Sequence, residues 1–210
     1  KREIEERKKT EEALRESEKK YRILFDNAAD LIVVIDTAGN FLDLNEKIVE
    51  EGGYHRKELI GKNVFSSGVL TESSNSKTLF YLEQLLGGKE WTIFEVEGVR
   101  KDGGIIPYEL TAVPIKKNGQ IMAVQAILRN ITDRKQAEEA LRESEEKYRS
   151  LVELANDGIA IVQENLLKYV NPSLAQMAGY TVDEVINSPF ADFIHPDGLS
   201  QVLDYHKRRM

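Results

Sequence analysis

Trp91-Thr92-Ile93-Phe94-Glu95-Val96-Glu97-Gly98-Val99-Arg100, followed by Lys101-Asp102-Gly103-Gly104 and then Ile105-Ile106-Pro107-Tyr108-Glu109-Leu110-Thr111-Ala112-Val113, is the stretch that decides the fold. Apolar and polar residues alternate on both sides of an Asp-Gly pair, the pattern of two half-buried strands joined by a tight turn. A second pair, Asn118-Gly119, precedes a third apolar run over residues 120–131. Residues 91–100, 105–115 and 120–131 therefore read as three consecutive antiparallel strands. Pro107 lacks a backbone donor and is expected near the start of its strand.

Upstream the grammar is different. Leu31-Ile32-Val33-Val34-Ile35 reads as a buried strand, Asp36-Thr37-Ala38-Gly39-Asn40 as a turn, and Phe41-Leu42-Asp43-Leu44 as the returning strand. Asn45 is expected to cap a short helix that Gly52-Gly53 ends. Residues 56–61 give another short helical turn, and residues 66–76 a polar loop. Residues 77–86 give a longer helix with Leu79, Leu82, Leu85 and Leu86 on its apolar side. Two strands, short helices and three hairpin strands predict an α+β domain, a five-stranded antiparallel sheet with helices on one face.

Downstream, Ala137, Leu141, Ser144, Tyr148 and Leu151 follow the 4-3-4-3 spacing of a short coiled-coil seam in a highly charged helix. Its text, Glu139-Ala140-Leu141-Arg142-Glu143-Ser144-Glu145 with Tyr148-Arg149, occurs earlier as Glu12-Ala13-Leu14-Arg15-Glu16-Ser17-Glu18 with Tyr21-Arg22. Tyr21 and Tyr148 are 127 positions apart, a spacing that fits a whole domain and not a solenoid unit. Arg2, Ile4, Arg7 and Lys8 likewise match Arg129, Ile131, Arg134 and Lys135, which makes the first residues read as the tail of a further copy. Gly53-Tyr54 recurs as Gly179-Tyr180, and the counterpart of Glu90 would fall beyond Met210. The predicted organisation is a linker helix over 1–24, a complete domain over 25–133, a linker helix over 134–151, and over 152–210 a shortened copy lacking its last three strands.

Composition sets further bounds. In 210 residues, 36 acids outnumber 29 bases, giving a net charge of −7 with no separate basic block, which argues against a nucleic-acid partner. There is no cysteine, hence no disulfide and no thiol chemistry. No apolar run approaches the roughly 20 residues that span a bilayer, and no signal peptide is visible. A cytoplasmic protein is the expectation.

The motifs Asp30-Leu31-Ile32-Val33-Val34, Asp36-Thr37-Ala38-Gly39, Leu44-Asn45, Gly53-Tyr54, Glu58-Leu59-Ile60-Gly61-Lys62, Lys101-Asp102-Gly103 and Asn130-Ile131-Thr132-Asp133-Arg134-Lys135 together resemble the PAS family of sensor domains. That family occurs in tandem upstream of histidine kinases, cyclases and chemoreceptors. The last block resembles its Asp-x-Thr output motif, with Asn130 where an acid commonly pairs with a nearby base. The resemblance implies a sensory or signal-relay module, the input region of a histidine kinase. It would pass a change through residues 129–151, with Asn130, Thr132, Asp133, Arg134, Leu141 and Tyr148 as relay residues. A homodimer through the linker helices and a downstream kinase or other output domain are the implied partners. The alternatives are a ligand-free scaffold for dimerisation, or a sensor bearing haem or flavin.

The same resemblance turns Val33, Ile35, Phe94, Val96, Gly98, Ile106, Tyr108, Leu110, Ala112, Val124, Ala126 and Leu128 toward the helices. Small residues at Gly98, Ala112 and Ala126 leave two readings open. One is a packed core. The other is a cavity for a small, mostly apolar ligand oriented by the Tyr108 hydroxyl. Val64 stands where blue-light flavin relatives carry a reactive cysteine, so adduct photochemistry is excluded. The helix over 77–86 has no histidine for haem. Of His55, His195 and His206, the first is expected at an exposed helix start and the second in a loop, Ile194-His195-Pro196-Asp197, that resembles a structural signature of the family. No catalytic motif, metal-ligating set or phosphate-cradling glycine loop is present.

Overall fold

The computed structural model describes residues 2–195, 197–198 and 204, the side chains of residues 2 and 3 excepted. His206 lies outside the described residues. The chain divides into two compact units, residues 1–136 and 137–210.

The first unit opens with helix α1 (Arg2–Asp26), rich in Glu, Lys and Arg and free of Gly and Pro. Strands β1 (Leu31–Asp36) and β2 (Phe41–Leu44) follow, then short helices α2 (Lys47–Gly52) and α3 (Arg56–Leu59), and helix α4 (Glu72–Leu86). The long strands β3 (Thr92–Val99), β4 (Ile105–Lys117) and β5 (Gln120–Asn130) complete a five-stranded antiparallel sheet of order β2-β1-β5-β4-β3. The α+β architecture with one five-stranded antiparallel sheet is as the sequence predicts.

Turn chemistry fixes the connections. Asp36 accepts from the backbone N–H of Ala38 and Asn40 at 2.9 and 2.8 Å, closing the β1–β2 turn. Gly39 there has φ +88°, and a Cβ on it would meet the Phe65 ring at 2.8 Å. Asn118 and Gly119 both take positive φ, 52° and 81°, the hairpin geometry whose twist matches that of the strands. Pro107 stands opposite Glu97, whose own N–H goes to Ser74 Oγ (2.8 Å) and whose C=O accepts from Thr71 N (3.1 Å). The proline therefore removes no β3–β4 ladder bond.

Alternation sorts the sheet's faces. Leu31, Val33 and Ile35 of β1 face the helices with Val96, Tyr108, Leu110, Ala112, Val124 and Leu128. Ile48, Leu59, Val64, Leu70, Leu82 and Leu85 close the core from the other side. Ile93, Val113 and Ile127 lie on the opposite, solvent-facing side of the sheet.

Three local expectations need correction. The segment 66–76 is not all loop: α4 begins at Glu72, capped by Thr71, and Ser74 is buried because its hydroxyl serves β3. Within α4, Leu82 and Leu85 are buried, while Leu79 and Leu86 face solvent at 45% and 37% exposure. Asn45 does not cap α2, whose N-cap is Glu46 without a side-chain bond; the Asn45 side chain turns instead to the end of α1.

Helix α5 (Thr132–Glu153) carries the chain from the first unit to the second. The second unit repeats the opening of the first: β6 (Ala160–Gln163), β7 (Leu166–Val170), α6 (Pro172–Ala178), α7 (Val182–Val185) and a 3₁₀ turn at Phe190–Phe193. Its described residues form a two-stranded sheet around Leu167, Val170, Ala175, Val185 and Phe190. Among the described residues no helix is long and apolar enough to cross a membrane.

Candidate functional site: a cavity between sheet and helices

A cavity of about 90 Å³ lies between the sheet and α2–α4 of the first unit. Of the residues singled out from sequence, Val33, Ile35, Gly98, Ile106, Tyr108, Leu110, Ala126 and Leu128 line it. Val96, Ala112 and Val124 are buried in the surrounding core without lining the cavity, and Phe94 stacks on Tyr81 at 4.1 Å. The helical and loop wall, which sequence reasoning did not resolve, comes from Ile48, Tyr54, Leu59, Val64, Leu70 and Thr78, with Arg100 at the hairpin end. Val64, at the position of the missing thiol, is therefore a wall residue.

Glycine shapes one side. A Cβ on Gly98 would lie 2.8 Å from the Tyr108 ring, so the close approach of that ring requires this glycine. The Tyr108 side chain is buried, and its hydroxyl is engaged by the Glu51 carboxylate. Burial first, and that acid second, push the phenol well above its ordinary pKa, so it stays a neutral donor. With its proton given to Glu51, the Tyr108 hydroxyl could meet a ligand only as an acceptor. Two other lining residues carry the open polar atoms: Thr78 Oγ1 and Arg100 Nε are shielded from solvent and have no hydrogen-bond partner among the described residues.

At about 90 Å³ the cavity is well below the roughly 300–1,000 Å³ of pockets for drug-sized ligands. A flavin or haem does not fit among these residues. Among the described residues no group of three His, Asp or Glu side chains could hold a metal ion. His55 is the exposed N-cap residue of α3, and exposed His195 lies 3.5 Å from the Asp197 carboxylate.

The helices that lead into and out of the first domain, α1 and α5, are both tied to this frame. At the end of α1, Phe25 is buried and Arg22 pairs with Asp43 of β2 at 2.9 Å. Asp43 also pairs with Arg56 of α3. Asn45, fully buried, donates to the C=O of Phe25 (3.1 Å) and Asp30 (3.0 Å) and accepts from Ile32 N (2.9 Å). The second unit repeats the device. Asn171 donates to the C=O of Val152 and Asp157 and accepts from Ile159 N; there it also caps α6 through Leu174 N.

At the start of α5, Ile131 is buried and donates its N–H to Pro107 O. Asn130 accepts from Thr132 N (2.9 Å) and Thr132 Oγ1 (2.6 Å), so the residue replacing an acid closes the turn into the helix. Arg134 reaches Glu95 of β3 (2.9 Å) and Glu109 of β4 (3.4 Å), and Lys135 reaches Glu95 at 2.7 Å. The Lys135 bond, aided by the charge of Arg134, holds the Glu95 carboxyl below its ordinary pKa. Asp133 is exposed in the first turn, where an acid suits the helix dipole. Leu141 and Tyr148 are 61% and 68% exposed and touch neither core.

The PAS-fold pattern matches residues 25–136 and the PAS-domain pattern residues 146–206. The chain belongs to the PAS family and carries two such domains in tandem. The methyl sulfide methyltransferase-associated sensor of Methanosarcina acetivorans is 30% identical over 68% of this chain and 14% of its own length. Sporulation kinase A of Bacillus subtilis is 30% identical over 68% of this chain and 23% of its length. The PAS domain of an HTR-like protein from Haloarcula marismortui superposes with a TM-score of 0.51 at 25% identity, covering 59% of this chain and 99% of that one. The chain thus spans less than a quarter of these two full-length relatives.

Proposed function

We propose that this chain is the sensory, signal-relay part of a histidine kinase, in which occupancy of the first domain's cavity biases the packing of α5. The observation that carries the reading is the alternation along β4. Tyr108 and Leu110 line the cavity, while Glu109 between them holds Arg134 at the start of α5. A ligand that shifts Tyr108 or Leu110 must therefore move the carboxylate on which the helix rests. Glu95 adds a second tie, from β3. The identity with a sensor and with a sporulation kinase supports the kinase setting.

Beyond its first turn, α5 presents Ala137, Leu141, Ser144, Tyr148 and Leu151 at heptad spacing, with Leu141, Tyr148 and Leu151 mostly exposed. These residues suit a seam with the same helix of a second copy. Small residues at Ala137 and Ser144 keep such a seam weak enough to hold two arrangements. In the parent kinase, deleting four residues within 137–147 should fix output on or off, and deleting seven should preserve regulation because the heptad phase returns. Equal output from the two deletions, with both proteins folded and dimeric, would contradict the relay and favour a dimerisation scaffold.

A further inference from the structure

The cavity's polar end defines what it can hold, an inference that rests on the ligand-site reading above. The walls are aliphatic apart from a few groups. Tyr108 gives its proton to Glu51, which leaves Thr78 Oγ1 on α4 and Arg100 Nε at the end of β3 as the lining atoms buried without any hydrogen-bond partner among the described residues. Arg100 can only donate, and Thr78 can donate or accept. A ligand reaching both must therefore offer an acceptor.

The local charges decide its kind. Alone, a guanidinium would select a carboxylate. Here Arg100 already has the Asp102 carboxylate at 3.5 Å. Glu51, on α2, also lies close enough that it and Arg100 act on the same Tyr108 hydroxyl with opposite sign. Two acids thus outweigh one base, and Glu51 Oε2 is itself buried without a donor among the described residues. A third carboxylate would enter against net negative charge, in a cavity otherwise too apolar to solvate it.

We propose that the cavity takes a small uncharged molecule of roughly five heavy atoms, apolar but for one carbonyl- or hydroxyl-type oxygen held between Thr78 and Arg100. Short ketones, aldehydes and alcohols meet this description. Short carboxylic acids, ionised at neutral pH, do not.

Three probes of one branched shape and five heavy atoms test it: 2-butanone, propionate and 2-methyl-1-butene. They differ only in carrying a neutral oxygen, a carboxylate or no oxygen. Each is titrated into the full 210-residue protein, following the methyl NMR signals of Val33, Ile106 and Leu128. The expected result is that 2-butanone binds about ten-fold tighter than the alkene, the worth of one well-made buried hydrogen bond, and propionate weakest. Thr78→Val, which leaves only Arg100 to donate, should reduce the preference for the ketone while the alkene still binds, which separates a lost hydrogen bond from a lost cavity. Propionate binding as well as or better than 2-butanone would overturn the proposal, as would equal binding of ketone and alkene. Those outcomes leave the ligand-site reading standing. Failure of all three probes to move the methyl signals would defeat that reading and this inference together.

Discussion

Asn45 shows most about what single residues do here. One buried amide joins the end of α1, the residue before β1 and the first ladder of β1, with no solvent to replace any of the three bonds. Asn45→Ala should cost about 2–3 kcal/mol, because buried carbonyls and an N–H lose their partner; the denaturant midpoint measures it, and a loss under about 0.5 kcal/mol would mean the anchor is dispensable. The helix-capping rule holds for Asn171 at the start of α6 but assigned Asn45 the wrong partner. Local rules see neighbours along the chain, whereas the donors and acceptors here come from 13 to 20 residues away. The polar end of the cavity was illegible for the same reason: Thr78, Arg100 and Glu51 sit on separate elements, and only packing brings them together.

Among elements, the three hairpin strands were the most legible, since alternation and two turn dipeptides leave little freedom. Helix α4 was the least. Its first turn is Glu-Ser-Ser-Asn-Ser, poor in helix formers, and it forms because Thr71 caps it and Ser74 reaches β3. At the start of α5 the ties are ionic, and their strength depends on pH. The folded Glu95 pKa lies below the ordinary value of 4.5 because Lys135 and Arg134 favour the carboxylate. Its contribution is therefore complete above the unfolded pKa and is lost as pH falls through the depressed folded value. Glu95→Gln should lower hydrogen-exchange protection of the first turn of α5 at pH 7. The difference from wild type should hold down to about pH 5 and vanish below the ordinary carboxylate range. A difference that persisted in acid would mean that charge is not what Glu95 supplies. Exposed ion pairs are worth about 0.2–1 kcal/mol each, so the joint is a weak clasp suited to a bistable element.

At the scale of the whole molecule, the described parts of the two domains differ in how much core they possess. Seventeen buried apolar residues form the cluster of the first unit, and five that of the second among its described residues. Residues 21–133 should unfold cooperatively on their own, while residues 148–210 should show no cooperative thermal transition unless they associate through an open strand edge. Differential scanning calorimetry of the two pieces decides this. A sharp monomeric transition for the second piece would show that its small core suffices. The tandem arrangement itself was legible from the linker-helix text that recurs after 127 residues, and Asn45 and Asn171 make the same tie to the preceding helix in the two copies.

The central claim is that the cavity and α5 are coupled through β3 and β4. The most direct measurement is amide exchange across Thr132–Gln136 in wild type and in Ala126→Leu, which places a larger side chain at the cavity wall. The slowest amides of β1 and β5 serve as the reference for global stability. The account predicts that exchange in the first turn of α5 changes at least about three-fold beyond the change in that reference, as expected for a local opening distinct from global unfolding. Exchange there that tracks the reference, in a protein that remains folded, would contradict it.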